Sequence, residues 1–212
     1  MRFDLKVKTA ATSYPVTLAE VENMIAYDST NPMHAREELF INSLISAAVA
    51  MLENYLGRAF MSQTLKLYVT PEITALHSIA GERYALQYAY ELLSDPIKLW
   101  RPPCQSVSNI IAYDQVNTAH LQAPGNYTAN INIEPATVNL SYGAVWEWYI
   151  AGYYAIEYIA GYTSAANVPI EIRNAILLTV AQWYKDREQM NFAIPPTATA
   201  LVEHLKLSSW DL

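Results

Sequence analysis

The 212-residue chain is predicted to have an α+β fold, on the evidence of three features of its sequence. Apolar residues recur at helical spacing from Ile41 to Leu56 and again from Ile172 to Tyr184. Between these helices, apolar residues alternate in short runs separated by Pro, Gly and Asn, as in antiparallel strands. We therefore expect N- and C-terminal helices that form a small bundle with an inserted antiparallel β portion. The expected ranges are helices at about 17–27, 34–57 and 169–188, a β portion at about 59–160, a single domain over 1–190 and an extended C-terminal tail over 191–212.

The N-terminal quarter carries signals for one strand and two helices. Residues 2–8 alternate charged and apolar side chains, which predicts a strand or an arm that pairs with another element. The segment Thr17-Leu-Ala-Glu20 has the capping-box pattern, so a short helix should follow it to about Tyr27. The next helix should end at Gly57, because glycine readily adopts the left-handed conformation of a helix C-cap.

The central part of the chain predicts a series of short strands. Leu65, Leu67 and Val69 should face one side of a strand, with Thr64, Lys66 and Tyr68 on the other side. Residues 72–95 fit both a strand and a helix face, and we favour a strand for part of them. Further strands are expected at about 107–113, 126–133, 137–141, 145–150 and 153–159.

A glycine turn and a proline mark the junction between the β portion and the last long helix. Strand-like sequence ends at Gly161, and Pro169 stands where a proline favours the start of a helix. Ile172, Ile176 and Val180 then share one helical face with Trp183 and Tyr184. The tail contains Pro195-Pro196 and is expected to form a short helix around 200–205.

The composition is unusually apolar and aromatic. The chain is 52% hydrophobic and 16% charged, with 16 tyrosines and 5 tryptophans, whereas about 25% of the residues in an average domain are charged. Tyr, Trp and Met are enriched in the buried centres of protein interfaces. The excess therefore favours either a subunit interface or an aromatic β core, and composition alone leaves both open.

Charge and length exclude several classes of protein. The formal net charge is −7, so the chain lacks the clustered cations that tight binding to DNA phosphates requires. An acidic wall is compatible with DNA that slides past it without sticking. The longest apolar run, from Phe40 to Leu52, is shorter than the ~20 residues that span a bilayer. The single cysteine, Cys104, allows no internal disulfide.

No motif for chemistry is recognisable, so we predict no catalytic, cofactor-binding or metal-binding residues. The four histidines have no metal-ligand spacing, and the six glycines form no phosphate loop. A small hydrolase would have to assemble distant groups such as His77 and His120 with acidic residues. The aromatic segment around Trp146 and Trp148 could stack on sugars, which leaves a carbohydrate-binding β module as the alternative function. Because no carboxylate-rich neighbourhood accompanies it, we rank a subunit interface or core above sugar binding, and we take Trp146, Trp148 and Tyr154 as candidate subunit-interface residues.

Several segments, in a fixed order, carry a resemblance to a known family. The first two are Thr17-Leu-Ala-Glu-Val21 and an Ala-rich helix that ends in Leu52-Glu-Asn-Tyr-Leu-Gly-Arg58. The next is Leu99-Trp-Arg-Pro-Pro-Cys-Gln-Ser-Val107, and the last are Ile159-Ala-Gly-Tyr162 and Trp183-Tyr-Lys-Asp-Arg-Glu188. This order resembles the head–tail connector proteins of tailed bacteriophages, also called adaptor or head-completion proteins. Residues 72–95 depart from the pattern and look like an insertion.

The resemblance implies a non-enzymatic structural subunit of the virion neck, made in the host cytoplasm. It implies a ring, usually a dodecamer, that joins the capsid portal to the next neck or tail protein. Genomic double-stranded DNA would pass through the channel of this ring without sequence-specific binding, and no membrane is involved. The C-terminal tail would engage the portal, with Leu205, Leu207 and Trp210 as candidate contacts from their apolar character.

Overall fold

The computed structural model describes residues 2–27, 34–70, 96–114, 116–141, 151–187 and 192–207. These residues form antiparallel β-sheets and α-helices, which confirms the predicted α+β class. The strands are β1 Arg2–Thr9, β2 Gln63–Thr70, β3 Ile97–Lys98, β4 Cys104–Asp114, β5 Ala119–Leu121, β6 Tyr127–Asn130, β7 Thr137–Leu140 and β8 Ala151–Ala160. The helices are α1 Leu18–Met24, α2 His34–Leu56, α3 Ile170–Lys185 and α4 Pro196–Val202.

The chain forms two compact units. The β unit contains the chain up to Ala10 and the segment from Gln63 to Gly161. The helical unit contains Ala11 to Ser62 and the described residues from Tyr162 to Leu207. The β portion is therefore inserted between the helices in sequence, as predicted, and the N-terminal strand belongs to the β unit.

A five-stranded antiparallel sheet, in the order β1-β2-β8-β4-β5, is the main element of the β unit. Alternation along β2 places Leu65, Leu67 and Val69 on the buried face, as predicted. They pair across the sheet with Tyr158, Ile156 and Tyr154 of β8, so the apolar sides of both strands coincide. A smaller sheet, in the order β3-β7-β6, belongs to the same unit.

The helical unit is built around the inner faces of α2 and α3. Helix α1 begins at the predicted capping box, with Thr17 accepting from the Glu20 amide at 3.2 Å and Glu20 accepting from the Thr17 amide at 2.7 Å. Gly57 follows α2 with φ +68°, a conformation that suits glycine at a helix end. Helix α3 begins immediately after Pro169. The shared core consists mainly of Ile41, Leu44, Ile45, Ala48, Leu52, Leu56, Ile172, Ile176, Val180 and Trp183.

The structure revises the expected extended tail. Residues 196–202 form α4, and a 3-10 turn at Glu203–Leu205 continues it. Ala198 and Val202 are fully buried in the core of the helical unit, because an apolar helix face gains free energy when it leaves water. Pro196 is the first helical residue, where the missing amide hydrogen costs no hydrogen bond.

Three sequence-based predictions fall outside the described residues. They are the strand within 72–95, the strand at 145–150 and the last residues of the tail beyond Leu207. Helix α3 ends at Lys185, close to the predicted end at about 188.

Candidate assembly surfaces

The polar side of the five-stranded sheet carries an ionic cluster, here called the ionic face: Lys8, Lys66, Tyr68, Tyr113, Tyr153 and Glu157. Glu157 lies on the central strand β8 and is only 5% exposed. Its carboxylate accepts from Lys8 Nζ at 2.8 Å, and Lys66 Nζ lies 3.3 Å away. The hydrogen bond from Lys8 holds the pKa of Glu157 below its usual value, with partial burial opposing and Lys66 adding to the effect. The cluster therefore links β1, β2 and β8 through one anion.

Tyrosines complete the ionic face. The rings of Tyr113 and Tyr153 stack with centroids 4.7 Å apart, and the hydroxyl of Tyr153 donates to Asn117 Oδ1 at 2.6 Å. Lys66 Nζ lies 5.4 Å from the ring centroid of Tyr68 and 5.6 Å from that of Tyr113. Burial opposes the charge on Lys66, but hydrogen bonds with Tyr113 and Glu157 outweigh it and raise the pKa of this lysine. A carboxylate paired with two lysines, with its pKa lowered, is a poor general base near neutral pH.

Tyr154 has a different place from the one expected. It is completely buried in the β unit, on the apolar side of β8 with Ile156 and Tyr158. Side chains of successive strand residues point to opposite faces, so Tyr153 reaches the ionic face and Tyr154 the core. Tyr154 is thus a core residue and not a surface for a neighbouring subunit. Trp146 and Trp148 lie outside the described residues.

Helix α2 has a second, outward face that is almost free of charge. Its exposed residues at helical spacing, here called the α2 outer stripe, are Leu39, Ser43, Ser46, Ala47, Ala50 and Met51. Leu39 is 74% exposed and Met51 is 37% exposed. The sequence contains no Asp, Glu, Lys or Arg between Glu38 and Glu53. Sequence analysis identified the apolar spacing of this helix, but it could not show which of its other residues remain exposed.

By length and composition alone, the stretch Arg36–Leu56 is long and apolar enough to cross a membrane. The inner residues Ile41, Leu52 and Leu56 are fully buried among protein side chains. Only 39% of the most apolar stretch of this helix is buried in the protein. The helix therefore combines a core face with an apolar outer face.

The C-terminal segment is attached to the end of α2. Leu205 is partly buried against the core, and its carbonyl oxygen accepts from Arg58 Nε at 2.6 Å. The amide of Leu207 donates to the carbonyl oxygen of Leu56 at 3.1 Å, and the hydroxyl of Tyr55 donates to Glu203. Leu205 and Leu207 therefore hold the tail against the helical unit, and neither belongs to a free arm. Trp210 lies outside the described residues.

The described residues include one cysteine and few clusters of potential metal ligands. Among them, no group of three His, Cys, Asp or Glu side chains could hold a metal ion. Burial raises the pKa of Cys104 to about 11, so its sulfur stays a thiol near neutral pH and is a weak nucleophile. His120 lies 3.3 Å from Asp114, whose carboxylate also accepts from the amides of Val116 and Thr118 in a turn. His77 lies outside the described residues.

Comparison with known proteins gives a likeness of fold over nearly the whole chain. No family model and no curated protein matches the sequence. A chain from the neck of an empty gene transfer agent (GTA) particle, computed with C6 symmetry, matches with a TM-score of 0.74 and 18% identity, over 97% of this chain and 96% of that chain. A chain from the virion of the native GTA particle matches with a TM-score of 0.71 and 20% identity, over 96% and 95% of the two chains. A third, from the neck of the native particle computed with C12 symmetry, has a TM-score of 0.67, 20% identity and coverage of 97% and 96%.

These likenesses confirm at the level of fold the resemblance to phage-like neck components. The coverage exceeds nine-tenths of both chains in each case, so the β unit and the helical unit occur together in the similar chains. The fold of this chain is therefore one that also occurs in chains of GTA necks and virions.

Proposed function

We propose that this protein is a structural component of the neck of a phage-like particle. The observation that carries the proposal is the likeness of fold over 97% of this chain to a chain of a solved particle neck.

More particularly, the protein would be the adaptor, a ring subunit between the capsid portal and the next neck or tail protein. Neck structures with C6 and C12 symmetry support a ring, and a dodecamer satisfies both symmetries. Copies in a closed ring contact each other through two different surfaces. The aromatic residues Trp146 and Trp148 remain proposed interface residues, whereas Tyr154 does not.

The ring would extend the channel through which double-stranded DNA passes. The net charge of −7 supports passage without tight binding, because counterion release requires clustered cations. The site of action would be the portal vertex of the virion, after synthesis in the host cytoplasm.

A particle lacking this protein tests the function directly. We expect electron microscopy to show heads without attached tails, because the neck would be incomplete. Normal tailed particles in the absence of the protein would contradict the proposal.

The proposed portal contact needs a finer test than deletion of the whole tail. Residues 192–207 contribute Ala198 and Val202 to the core, so their removal should unfold the helical unit. A chain that ends at Leu207 lacks Trp210 but keeps these core residues. We expect it to fold with unchanged circular dichroism and to lose at least about tenfold in portal affinity, as for an interfacial tryptophan anchor. Portal binding equal to that of the full chain would exclude Trp210 as a contact, and the Leu201→Ala variant provides an exposed-residue control.

A further inference from the structure

We infer that the α2 outer stripe is one of the two lateral surfaces on which a second copy of this chain packs. The inference rests on the proposed ring and specifies the surface through which it closes. The stripe belongs to the helical unit.

The α2 outer stripe carries no charged residue. From Leu39 to Met51 the stripe runs about 18 Å along the helix, at ~1.5 Å per residue, and none of its residues is charged. A helix whose outer face remains in water normally carries charged and polar residues there. On the neighbouring helix α3, the exposed residues after the first position, Ile170, are Asn174, Gln182 and Lys185, which are polar or charged. Depletion of charge is what distinguishes the centre of a protein interface from ordinary surface.

The α2 outer stripe consists of small residues with a larger apolar residue at each end. Ser43, Ser46, Ala47 and Ala50 have small side chains, which allow another backbone or helix to approach closely. Leu39 and Met51 stand at the two ends with much of their side chains exposed. Packing of such larger residues beside a strip of small ones provides complementary ridges and grooves. The surface therefore suits a protein partner with a matching ridge.

The partner that fits the α2 outer stripe is a second copy of this chain. Helix α2 does not span a bilayer in the folded protein, because Ile41, Leu52 and Leu56 on the opposite side of α2 are fully buried in the core of the helical unit. The similar chains come from necks computed with C6 and C12 symmetry, in which many copies surround one axis. A permanent contact between copies is the kind of interface that is most apolar. A second copy therefore accounts for the stripe.

A ring also requires that the neighbour present a different surface to the stripe. Contact between two α2 outer stripes would be a two-fold contact, which closes a dimer and stops there. The inference thus predicts that the stripe touches residues outside α2 of the adjacent copy.

Charge substitution tests the stripe. We expect the double variant Ala47→Glu and Ala50→Glu to lose at least about tenfold in the fraction of chains assembled into rings, because two unpaired carboxylates would be buried. The matched control is Asn174→Glu, an exposed position on α3. Mass photometry of each protein, alone and with the portal, measures assembly. Circular dichroism and thermal unfolding should show the same fold in both variants, since the substituted side chains are exposed.

The outcomes separate the inference from the proposed function. Rings of the wild type that persist in the double variant would overturn the inference and leave the ring proposal intact. Failure of the wild type to form rings, alone or with the portal, would overturn the proposed function itself. Flotation of the folded wild type with phosphatidylcholine vesicles, lost in the double variant, would replace the second copy by a lipid surface and overturn the inference.

Cross-linking identifies the opposite surface. A photoreactive benzoylphenylalanine in place of Ser46 should produce covalent dimers within rings, and mass spectrometry should find the second attachment point outside residues 34–56. Attachment to α2 of the second copy would indicate a two-fold dimer and overturn the inference. Absence of any intersubunit product in rings that do form would overturn it equally.

Discussion

The ionic face of the β unit and the α2 outer stripe of the helical unit differ in whether their own chain compensates their energetically costly groups. On the ionic face, Glu157 is nearly buried yet is neutralised by Lys8 and Lys66 of its own chain. On the stripe, Leu39 and Met51 are apolar yet remain 74% and 37% exposed. The charges of the ionic face are neutralised within one subunit. The apolar residues of the α2 outer stripe, by our inference, leave water only when another copy covers them. An apolar surface that costs free energy when it is exposed in an isolated subunit is therefore a better indicator of assembly than a neutralised ionic surface.

The largest expected effect comes from comparing the two sides of α2. Leu52→Ala removes a fully buried side chain from the core and should lower the free energy of unfolding by about 2–5 kcal/mol. Met51→Ala, one residue away on the outer stripe, should change it by less than about 0.5 kcal/mol. Urea unfolding followed by tryptophan fluorescence measures both variants. Equal destabilisation would show that the stripe is already packed within the monomer, contrary to the comparison.

The next effect concerns the anion of the ionic face. Glu157→Gln leaves Lys8 and Lys66 without their shared carboxylate and should lower the free energy of unfolding by roughly 1–3 kcal/mol. The control is Asp4→Asn, whose carboxylate lies 3.7 Å from Lys6 with both side chains exposed. An exposed ion pair contributes little, so this variant should resemble the wild type. If both variants lose the same stability, burial of Glu157 is not what gives the cluster its strength.

The smallest effect is a dependence on pH. Because the folded-state pKa of Glu157 is below its unfolded value of about 4.5, its contribution to stability is complete above that value. The contribution should decrease as the pH falls below 4.5 and through the lower folded-state pKa. The measurement is the difference in unfolding free energy between wild type and Glu157→Gln, from pH 7 downward.

The other carboxylates, including Glu20 with its lowered pKa, are present in both proteins and cancel to first order in this difference. A difference that stays constant well below pH 4.5 would mean that Glu157 does not titrate with the predicted shift.

Local sequence patterns predicted the elements well where one interaction dominates. The Thr17 capping box, the glycine after α2 and the alternation of Leu65, Leu67 and Val69 all depend on neighbours within a few residues. Sequence analysis could not decide which of Tyr153 and Tyr154 faces the core. The alternating pattern of a strand is the same whichever of its two faces is buried. It also missed the tail helix boundary, since burial of Ala198 depends on partners distant in the chain.

The sequence by itself determined the helix and strand periods, the lack of a recognisable catalytic motif, the acidic balance and the family likeness. Only the tertiary structure decided which side of each element faces the core. Lys8 and Glu157 are separated by 149 residues, and only strand pairing brings them together. The outer stripe likewise exists only because the opposite side of α2 is buried, and burial depends on contacts between residues far apart in the chain.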